Sequence, residues 1–478
     1  MMRGLKTILT EALTHDSPPN MKPIQRMIAG LALGLFLVAG TAPAFANPFE
    51  KKLANGLRVI VKEDRRAPTA VHMVWYRAGA MDEVGGYSGV AHVLEHMMFK
   101  GTKTLAPGEF NKRVAEAGGR DNAFTSLDYT GYFQIVPKDA LPEMMKLEAD
   151  RMTNLRLTEK EFAAEVQVVM EERRMRTEDN PQALVYEALN ATAFKAHPYR
   201  RPVIGWMNDL ENMKWRDARD WYRRWYVPNN AYVVVVGDVD HQEVFRLAER
   251  AYGKLKPRPL PARKPQEEPD QTGIKRVVVK APAKLAYLAM AWKVPKLIDV
   301  DRDRDPYALD VLSAVLDGHD AARLPRSLVR EQKVAQSAGA GYDAATRGES
   351  LFLLAGQPAE GRSVADLEAA LRAELKRIQT DGISEQELAR VKTQLVAAQT
   401  YKRDSMMAQA MEIGGMEAAG HHWRDVDKVI DKLRTVTADE VQTVAKKYFN
   451  DDVLTIATLD PQPIDSAPAR KPALPVRH

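Results

Sequence analysis

The chain has 478 residues, more than one hydrophobic core usually serves, so the sequence predicts at least two domains. Hydrophobic residues make up 45% and charged residues 28%, the composition of a soluble globular protein. The net charge of +5 is small for this length and no dense basic stretch stands out, which argues against nucleic acid as a partner. Cysteine is absent, which excludes disulfides and thiol catalysis, and any metal site must use histidine and carboxylate ligands.

The N-terminal segment has the order of residues that is typical of a secretory signal peptide. Lys22 and Arg26 precede an apolar run at 27–40, and Ala44-Phe45-Ala46 then forms a small-x-small cleavage site. A membrane anchor is the alternative, but the run is shorter than the roughly 20 residues that a span needs. We therefore predict export, to the periplasm, with cleavage near Ala46 and no stable membrane anchor.

A proline-rich segment at 256–273 divides the chain into two parts that repeat the same order of predicted elements. Such a composition cannot bury a core and is typical of a semi-rigid linker. The paired elements of the first and second part are strands at 57–62 and 274–280, strands at 70–76 and 286–292, helices near 88–99 and 307–316, and closing strands within 226–236 and 448–459.

Two capping boxes mark helix starts at corresponding places in the two parts. Thr158 precedes Glu161 by three positions in the first part, and Ser384 precedes Glu387 in the second. The pairing favours a duplicated domain over two unrelated mixed domains, so we predict an α+β fold of two homologous domains. The predicted boundaries are an N-terminal extension with the signal peptide at 1–46, a first domain at 47–255, the linker at 256–273, a second domain at 274–460 and a disordered tail at 461–478.

The motif HVLEH at residues 92–96 lies in the first predicted helix, with Ser88 as its expected N-cap. Residues four apart share a helical face, so His92 and His96 can bind one metal ion. Glu95 lies close enough to act as general base on a water molecule that zinc has made acidic. The motif therefore predicts a catalytic zinc site, and two surface histidines on an amphipathic helix are the alternative.

A third ligand must come from elsewhere, and the helix predicted from Thr158 toward Arg176 offers Glu165, Glu171 and Glu172 as candidates. Glu165 and Glu172 are seven positions apart and share a face, so one could bind the metal while the other orients a ligand. Glu171 is adjacent to Glu172, and a solvated acidic face paired with nearby arginines is the alternative. Spacing by itself does not choose among the three.

The segment Ser88–Thr102, with the sequence SGVAHVLEHMMFKGT, resembles the signature of the pitrilysin/insulinase family of zinc peptidases. In that family the third ligand is a glutamate about 75 residues beyond the second histidine, with another glutamate about seven residues before it. Here 75 residues separate His96 from Glu172, so the resemblance implies Glu172 as a ligand and Glu165 as a supporting carboxylate. It runs from about 48 to 460 and implies two α/β-sandwich domains of this family's type, with one zinc ion per chain.

Other matches to the family concern substrate binding. Asn122, Ala123 and Phe124 resemble the edge strand that holds a peptide substrate by strand addition, and an ordinary strand is the alternative. Arg330 is the candidate for a substrate-binding arginine from the second domain, but Gln336 stands where the accompanying tyrosine is expected. Either Tyr342 or a partner subunit could supply that tyrosine.

The second domain has no HxxEH motif, and Val391 and Ala398 stand where the capping boxes align with Glu165 and Glu172. The resemblance therefore implies that this domain shapes a chamber, and that the chain forms a homodimer or a heterodimer with a related subunit. The family also shares His197-Pro198-Tyr199, which we expect to form a turn rather than to bind metal.

The predicted function is a zinc metalloendopeptidase that hydrolyses peptides or unfolded segments, since a closed chamber would exclude folded proteins. The alternative is a non-catalytic peptide-binding or structural subunit of a peptidase-like complex. Such subunits usually lose ligands, whereas this chain keeps the full set of His92, Glu95, His96 and Glu172. The sequence does not distinguish general peptide clearance from maturation of one precursor.

Overall fold

The structure, a computed structural model, describes residues 48–464, and these form two mixed halves on either side of the segment 256–273. The predicted α+β fold of two homologous domains is confirmed. The predicted signal peptide, its cleavage site near Ala46 and residues 465–478 of the predicted tail lie outside the described residues. Within 48–464, no helix combines the length and the apolar character needed to cross a membrane.

The first half contains a six-stranded sheet in the order β1-β2-β6-β3-β5-β4. Its β2 and β6 are parallel, and the other neighbours are antiparallel. β4 is an edge strand, because it pairs with β5 and no other described strand pairs with it. The strands are β1 (Phe49–Lys52), β2 (Arg58–Glu63), β3 (Thr69–Tyr76), β4 (Arg120–Thr125), β5 (Thr130–Pro137) and β6 (Ala231–Gly237).

The second half contains a five-stranded sheet in the order β7-β11-β8-β10-β9. This order matches β2-β6-β3-β5-β4 strand for strand, including the single parallel pair, which supports the predicted duplication. β11 ends at Gln462, two residues beyond the predicted end of the second domain. The strands are β7 (Lys275–Pro282), β8 (Tyr287–Val294), β9 (Ala335–Gly341), β10 (Ser350–Pro358) and β11 (Leu454–Gln462).

The helices also follow the duplicated plan. Those of the first half are α1 (Val90–Met97), α2 (Glu109–Glu116), α3 (Leu141–Asn154), α4 (Glu159–Arg173), α5 (Pro181–Ala193), α6 (Met207–Asn212), α7 (Trp215–Trp225) and α8 (His241–Tyr252). Those of the second half are α9 (Asp305–Asp317), α10 (Val364–Asp381), α11 (Glu385–Lys402), α12 (Met406–Ala419), α13 (Asp425–Thr435) and α14 (Ala438–Tyr448). At the starts of α4 and α11, Thr158 and Ser384 accept the expected N–H groups of Glu161 and Glu387, each at 3.2 Å.

The two faces of the first sheet are covered by helices from different halves. One face packs against α1, α3 and α8 of its own half. On the opposite face, Trp75 and Val234 pack against Ala410 and Ile413 of α12, which belongs to the second half. The central strands are therefore apolar on both faces, as a sheet buried on both sides requires.

The second sheet is covered in the same reciprocal way. Helices α9, α10 and α14 pack on one face. On the other face, Val185 and Leu189 of α5, from the first half, pack against Ala289 and Ala457. Neither half buries both faces of its sheet alone, so we infer that the two halves fold as one unit.

The segment 256–273 forms neither helix nor strand, but it is bound to the first half. Arg263 donates a hydrogen bond to Asp82 at 2.6 Å. The Glu268 carboxylate accepts the backbone N–H groups of residues 195–197 at 2.7 to 3.0 Å. The predicted linker is therefore held against the molecular surface.

Two neighbouring glycines of α12 allow a test of the packing of this second-half helix against the sheet of the first half. A Cβ atom at Gly414 would lie 2.2 Å from Cε2 of Trp75, whereas one at Gly415 would meet no atom within 4 Å. We expect Gly414→Ala to lower the free energy of unfolding by about 1–3 kcal/mol through overpacking. Gly415→Ala should raise it by up to about 1 kcal/mol, because alanine favours the helix. Urea titrations followed by circular dichroism measure both changes, and equal effects would contradict the packing.

Candidate metal centre

Helix α1 carries the HVLEH motif, and buried polar contacts fix its first turn. Gly89 precedes the helix with a φ of 88°, a conformation that favours glycine. The buried Glu83 side chain accepts the N–H groups of Gly89 and Ala91, both at 2.9 Å, and so satisfies backbone donors at the start of the helix. The prediction that Ser88 caps this helix is wrong, because its hydroxyl donates to Asp209 at 2.5 Å instead.

His92 and His96 lie on the face of α1 that turns toward α4, where Glu172 meets them. Glu172 Oε2 lies 3.7 Å from His92 Nε2 and 3.2 Å from His96 Nε2. All three ligand atoms lie within 4.8 Å of one another. The ligands of a tetrahedral zinc ion with bonds of about 2.1 Å are roughly 3.4 Å apart, and the two measured distances bracket that value.

The other two candidate glutamates of α4, Glu165 and Glu171, have different partners. Glu165 Oε1 lies 3.0 Å from His96 Nδ1, and Glu165 Oε2 lies 2.6 Å from Lys100 Nζ. Glu171 points away from the histidines, pairs with Arg174 and is 45% exposed. Glu165 therefore holds His96 with Nε2 toward Glu172, the outer contact expected of a metal-binding histidine.

The residues of this cluster fit a divalent cation. Glu172 Oε2 is buried and makes no well-aligned hydrogen bond within the described chain, although two imidazole nitrogens face it. The other oxygen of Glu172 pairs with Arg176 at 2.6 Å, so one oxygen is directed to the histidines. Three nitrogen and oxygen ligands leave one tetrahedral position open, which is the arrangement of catalytic zinc sites.

Burial and neighbouring charges shift the pKa values of all three side chains. Burial lowers the pKa of His92 to about 3. Burial opposes the charge on His96, but Glu165 and Glu172 outweigh it and raise its pKa to about 9. Burial also opposes ionisation of Glu172, but His96, His92 and Arg176 lower its pKa to about 2. His96 and Glu172 thus form a buried ion pair, and a bound cation would replace the imidazole proton.

Glu95 lies beside the cluster, against the end of β4. The hydroxyl of Thr125, the last residue of that strand, donates to Glu95 Oε2 at 2.5 Å. Burial raises the pKa of Glu95 to about 7, although Thr125 and His96 oppose the shift. A carboxylate with a pKa near neutrality is suited to general base chemistry. The edge-strand match that carries Asn122-Ala123-Phe124 continues through Thr125, but sequence reasoning assigned this residue no contact with Glu95.

Asn122, Ala123 and Phe124 all lie on β4. Asn122 is exposed, whereas Phe124 packs against Trp75 with ring centroids 5.2 Å apart. Since no strand in 48–464 covers the outer edge of β4, its backbone groups face outward there. An unpaired edge of this kind can accept an added strand.

Tyr342 is not placed to act as the expected substrate-binding tyrosine. Tyr342 is buried in the second core, and its hydroxyl donates to the Pro295 carbonyl at 2.5 Å, so it cannot substitute as a substrate contact. Arg330 is exposed and donates to the Asp320 carbonyl at 2.6 Å. In the first half, His197 accepts the Tyr199 N–H at 3.2 Å and begins a turn, the role predicted for it.

Comparison with known proteins assigns the two halves to one family. Residues 58–206 match the family model described as Insulinase (Peptidase family M16), and residues 214–395 match the model described as Peptidase M16 inactive domain. The zinc protease PqqE of Helicobacter pylori is 33% identical over 423 residues, which cover 86% of this chain and 92% of that protein.

Two solved structures share the fold. A protease from Helicobacter pylori matches with a TM-score of 0.83 and 31% identity, over 87% of this chain and 99% of that chain. The periplasmic protease PqqL from Escherichia coli matches with a TM-score of 0.74 and 20% identity, over 87% of this chain but 48% of the longer protein. Given the family models and the identity to PqqE over most of both proteins, this chain belongs to the pitrilysin/insulinase family, peptidase family M16.

Proposed function

We propose that this chain is a zinc-dependent metalloendopeptidase that hydrolyses peptides or unfolded segments. The observation that carries the proposal is the convergence of His92, His96 and Glu172 on one point, with Glu95 beside them. The relatives named as zinc proteases support the same chemistry.

The side chains divide the chemistry between them. His92, His96 and Glu172 would hold a zinc ion, which when bound would supply a Lewis acid able to make water acidic near neutral pH and to polarise a peptide carbonyl. Glu165 fixes His96, and Arg176 fixes Glu172, so the ligand atoms keep their orientation. Glu95 accepts the proton of the attacking water and returns it to the amine nitrogen as the peptide bond breaks.

The outer edge of β4 supports an extended peptide as the substrate. Strand addition uses backbone N–H and C=O groups, so affinity would depend little on side chains. Because folded proteins pair these groups internally, short or unfolded segments are the proposed substrates. Asn122, Ala123 and Phe124 would line the bound strand, and Arg330 is the proposed contact from the second half.

One observation favours the alternative, a non-catalytic peptide-binding or structural subunit. Residues 214–395 match a model described as an inactive domain, and in the second half Val391 and Ala398 offer no ligand atoms. The ligand set instead lies between His92 and Glu172, within the part that matches the insulinase model. The match described as inactive therefore contains none of the candidate ligands, and the peptidase is the better supported function.

Glu95→Gln and Glu172→Ala separate the general base from the metal ligands. Glu95→Gln removes no ligand, so it should retain about one zinc ion per chain while peptide cleavage falls by at least about 100-fold. Glu172→Ala should lose both zinc and activity. Metal analysis and hydrolysis of quenched fluorescent peptides, with and without chelator, measure both properties.

Two outcomes would contradict these assignments. Full zinc occupancy in Glu172→Ala would identify a different third ligand. Zinc in the unaltered chain without cleavage of any peptide would favour the non-catalytic subunit.

The proposed working form is a homodimer or a heterodimer with a related subunit. This chain covers 48% of the longer PqqL, which would be consistent with two such chains forming a similar assembly. Tyr342 is used inside its own half, so a partner could provide the substrate-binding tyrosine. Light scattering of the active protein should give about twice the mass of one chain, and a fully active lone monomer would refute the dimer.

Export is the proposed route to the site of action. The charged, apolar and small residues before Asn47 support it, as does the description of PqqL as periplasmic. N-terminal sequencing of protein recovered from the periplasm should begin at Asn47. A mature chain that begins at Met1 or Met21 would contradict export with cleavage.

A further inference from the structure

We propose that Thr125 positions the general base Glu95, and that Arg347 of the second half holds the turn that follows Thr125. The inference rests on the proposed function, since it assumes that Glu95 is the base. It gives the half without metal ligands a defined effect on the chemistry of the other half.

The first of the contacts that link Arg347 to Glu95 is the hydrogen bond between Thr125 and Glu95. Thr125 Oγ1 donates to Glu95 Oε2 at 2.5 Å, and this hydrogen bond is partly buried. A hydrogen bond to one carboxylate oxygen fixes the rotation of the whole group, which leaves Oε1 to accept the proton of the attacking water. General base catalysis depends on such placement, because the base must lie within hydrogen-bond reach of that proton.

The backbone of the first half holds the turn at 126–129 that follows Thr125. Ala80 donates its N–H to the Ser126 carbonyl at 3.0 Å, and Met81 donates to the Leu127 carbonyl at 2.8 Å. These bonds place the turn against the segment that leads to α1. They fix one side of the turn.

Arg347 fixes the other side of the turn from the second half. It lies between β9 and β10, and its guanidinium donates to the Asp128 carbonyl at 2.7 Å. Its backbone N–H donates to Asp128 Oδ2 at 3.0 Å. The same guanidinium spans both oxygens of Asp82 at 2.9 and 3.1 Å, and the side chain is 15% exposed.

Tyr199 completes the attachment of the turn. Its hydroxyl donates to Asp128 Oδ1 at 2.5 Å and accepts the N–H of Gly348 at 2.8 Å. The Asp128 carboxylate is thus bound by one residue from each half, and both of its oxygens are occupied. A charged, buried and fully bonded group of this kind has little freedom to move.

Thr125→Val and Thr125→Ser test the first contact. Valine keeps the shape but removes the donor, so we expect kcat to fall by about 10- to 100-fold with KM and zinc content nearly unchanged. Serine keeps the hydroxyl and should restore most of kcat. Unchanged kcat in Thr125→Val, or an equal loss in both variants, would overturn the role of the hydroxyl.

Failure of this inference can be distinguished from failure of the proposed function. If Glu95→Gln is inactive while Thr125→Val is fully active, only the present inference fails. If the unaltered chain has no activity, the proposed function fails, and crystal structures of the zinc-loaded chain and Thr125→Val then decide the contact. An unmoved Glu95 carboxylate in Thr125→Val would overturn the inference there as well.

Arg347→Ala tests the second contact, with Arg263→Ala as its matched control. Both arginines pair with Asp82, but Arg347 also binds Asp128, whereas the bonds of Arg263 go to Asp82 and the Arg77 carbonyl. We expect Arg347→Ala to lower kcat by about 3- to 30-fold and Arg263→Ala to leave it unchanged. Equal losses of kcat in the two variants would attribute the effect to the ion pair with Asp82 and would overturn the role of the contact with Asp128.

A double-mutant cycle then shows whether Arg347 acts through Thr125. If it does, Thr125→Val combined with Arg347→Ala should lose no more kcat than Thr125→Val alone. Losses that multiply would overturn the link between the two residues. Arg347→Lys keeps a cation for Asp82 but lacks the planar fork with which the guanidinium reaches Asp82 and the Asp128 carbonyl at once. It should show the same loss, and it replaces the alanine variant if that variant does not fold.

Discussion

Each sheet of this molecule has two apolar faces, and each half has helices of its own for only one of them. Helix α12 of the second half covers Trp75 and its neighbours, and α5 of the first half covers the equivalent face of the other sheet. Burial of these faces is the main favourable contribution to folding that the two halves share. The half without metal ligands is therefore required for the half that has them, whatever else it does.

The covered sheet provides the rigid base on which the metal centre is built. Helix α1 lies on the face opposite α12, and α4 packs against α1. Glu165 and Glu172 are seven residues apart on α4, a rise of about 10.5 Å, and they contact the two nitrogens of one imidazole, Nδ1 and Nε2 of His96. One helix face thus supplies both a candidate ligand and the carboxylate that orients another.

Local features of the sequence predicted much of this arrangement. The i and i+4 spacing of the histidines and the N-caps Thr158 and Ser384 depend on neighbours within one helical turn, and the structure has the same geometry there. Spacing could not separate Glu172 from Glu171, because adjacent residues differ by about 100° around the helix and the orientation of α4 is set by packing. The Ser88 hydroxyl was assigned wrongly because its partner Asp209 lies 121 positions away.

The contacts between the halves follow from the duplication itself. Helices α5 and α12 come directly after the equivalent helices α4 and α11, so the exchanged helices are themselves equivalent. The turn at 126–129 joins β4 to β5, and the segment with Arg347 joins β9 to β10, so equivalent turns also meet. Reciprocal contacts of this kind are those of a symmetric dimer interface, in which each element meets its own counterpart. The turn at 126–129, next to Thr125, is one of the elements that contact their own counterpart at this interface. The second half could therefore lose its metal ligands by divergence and still keep the contact between Arg347 and the turn at 126–129.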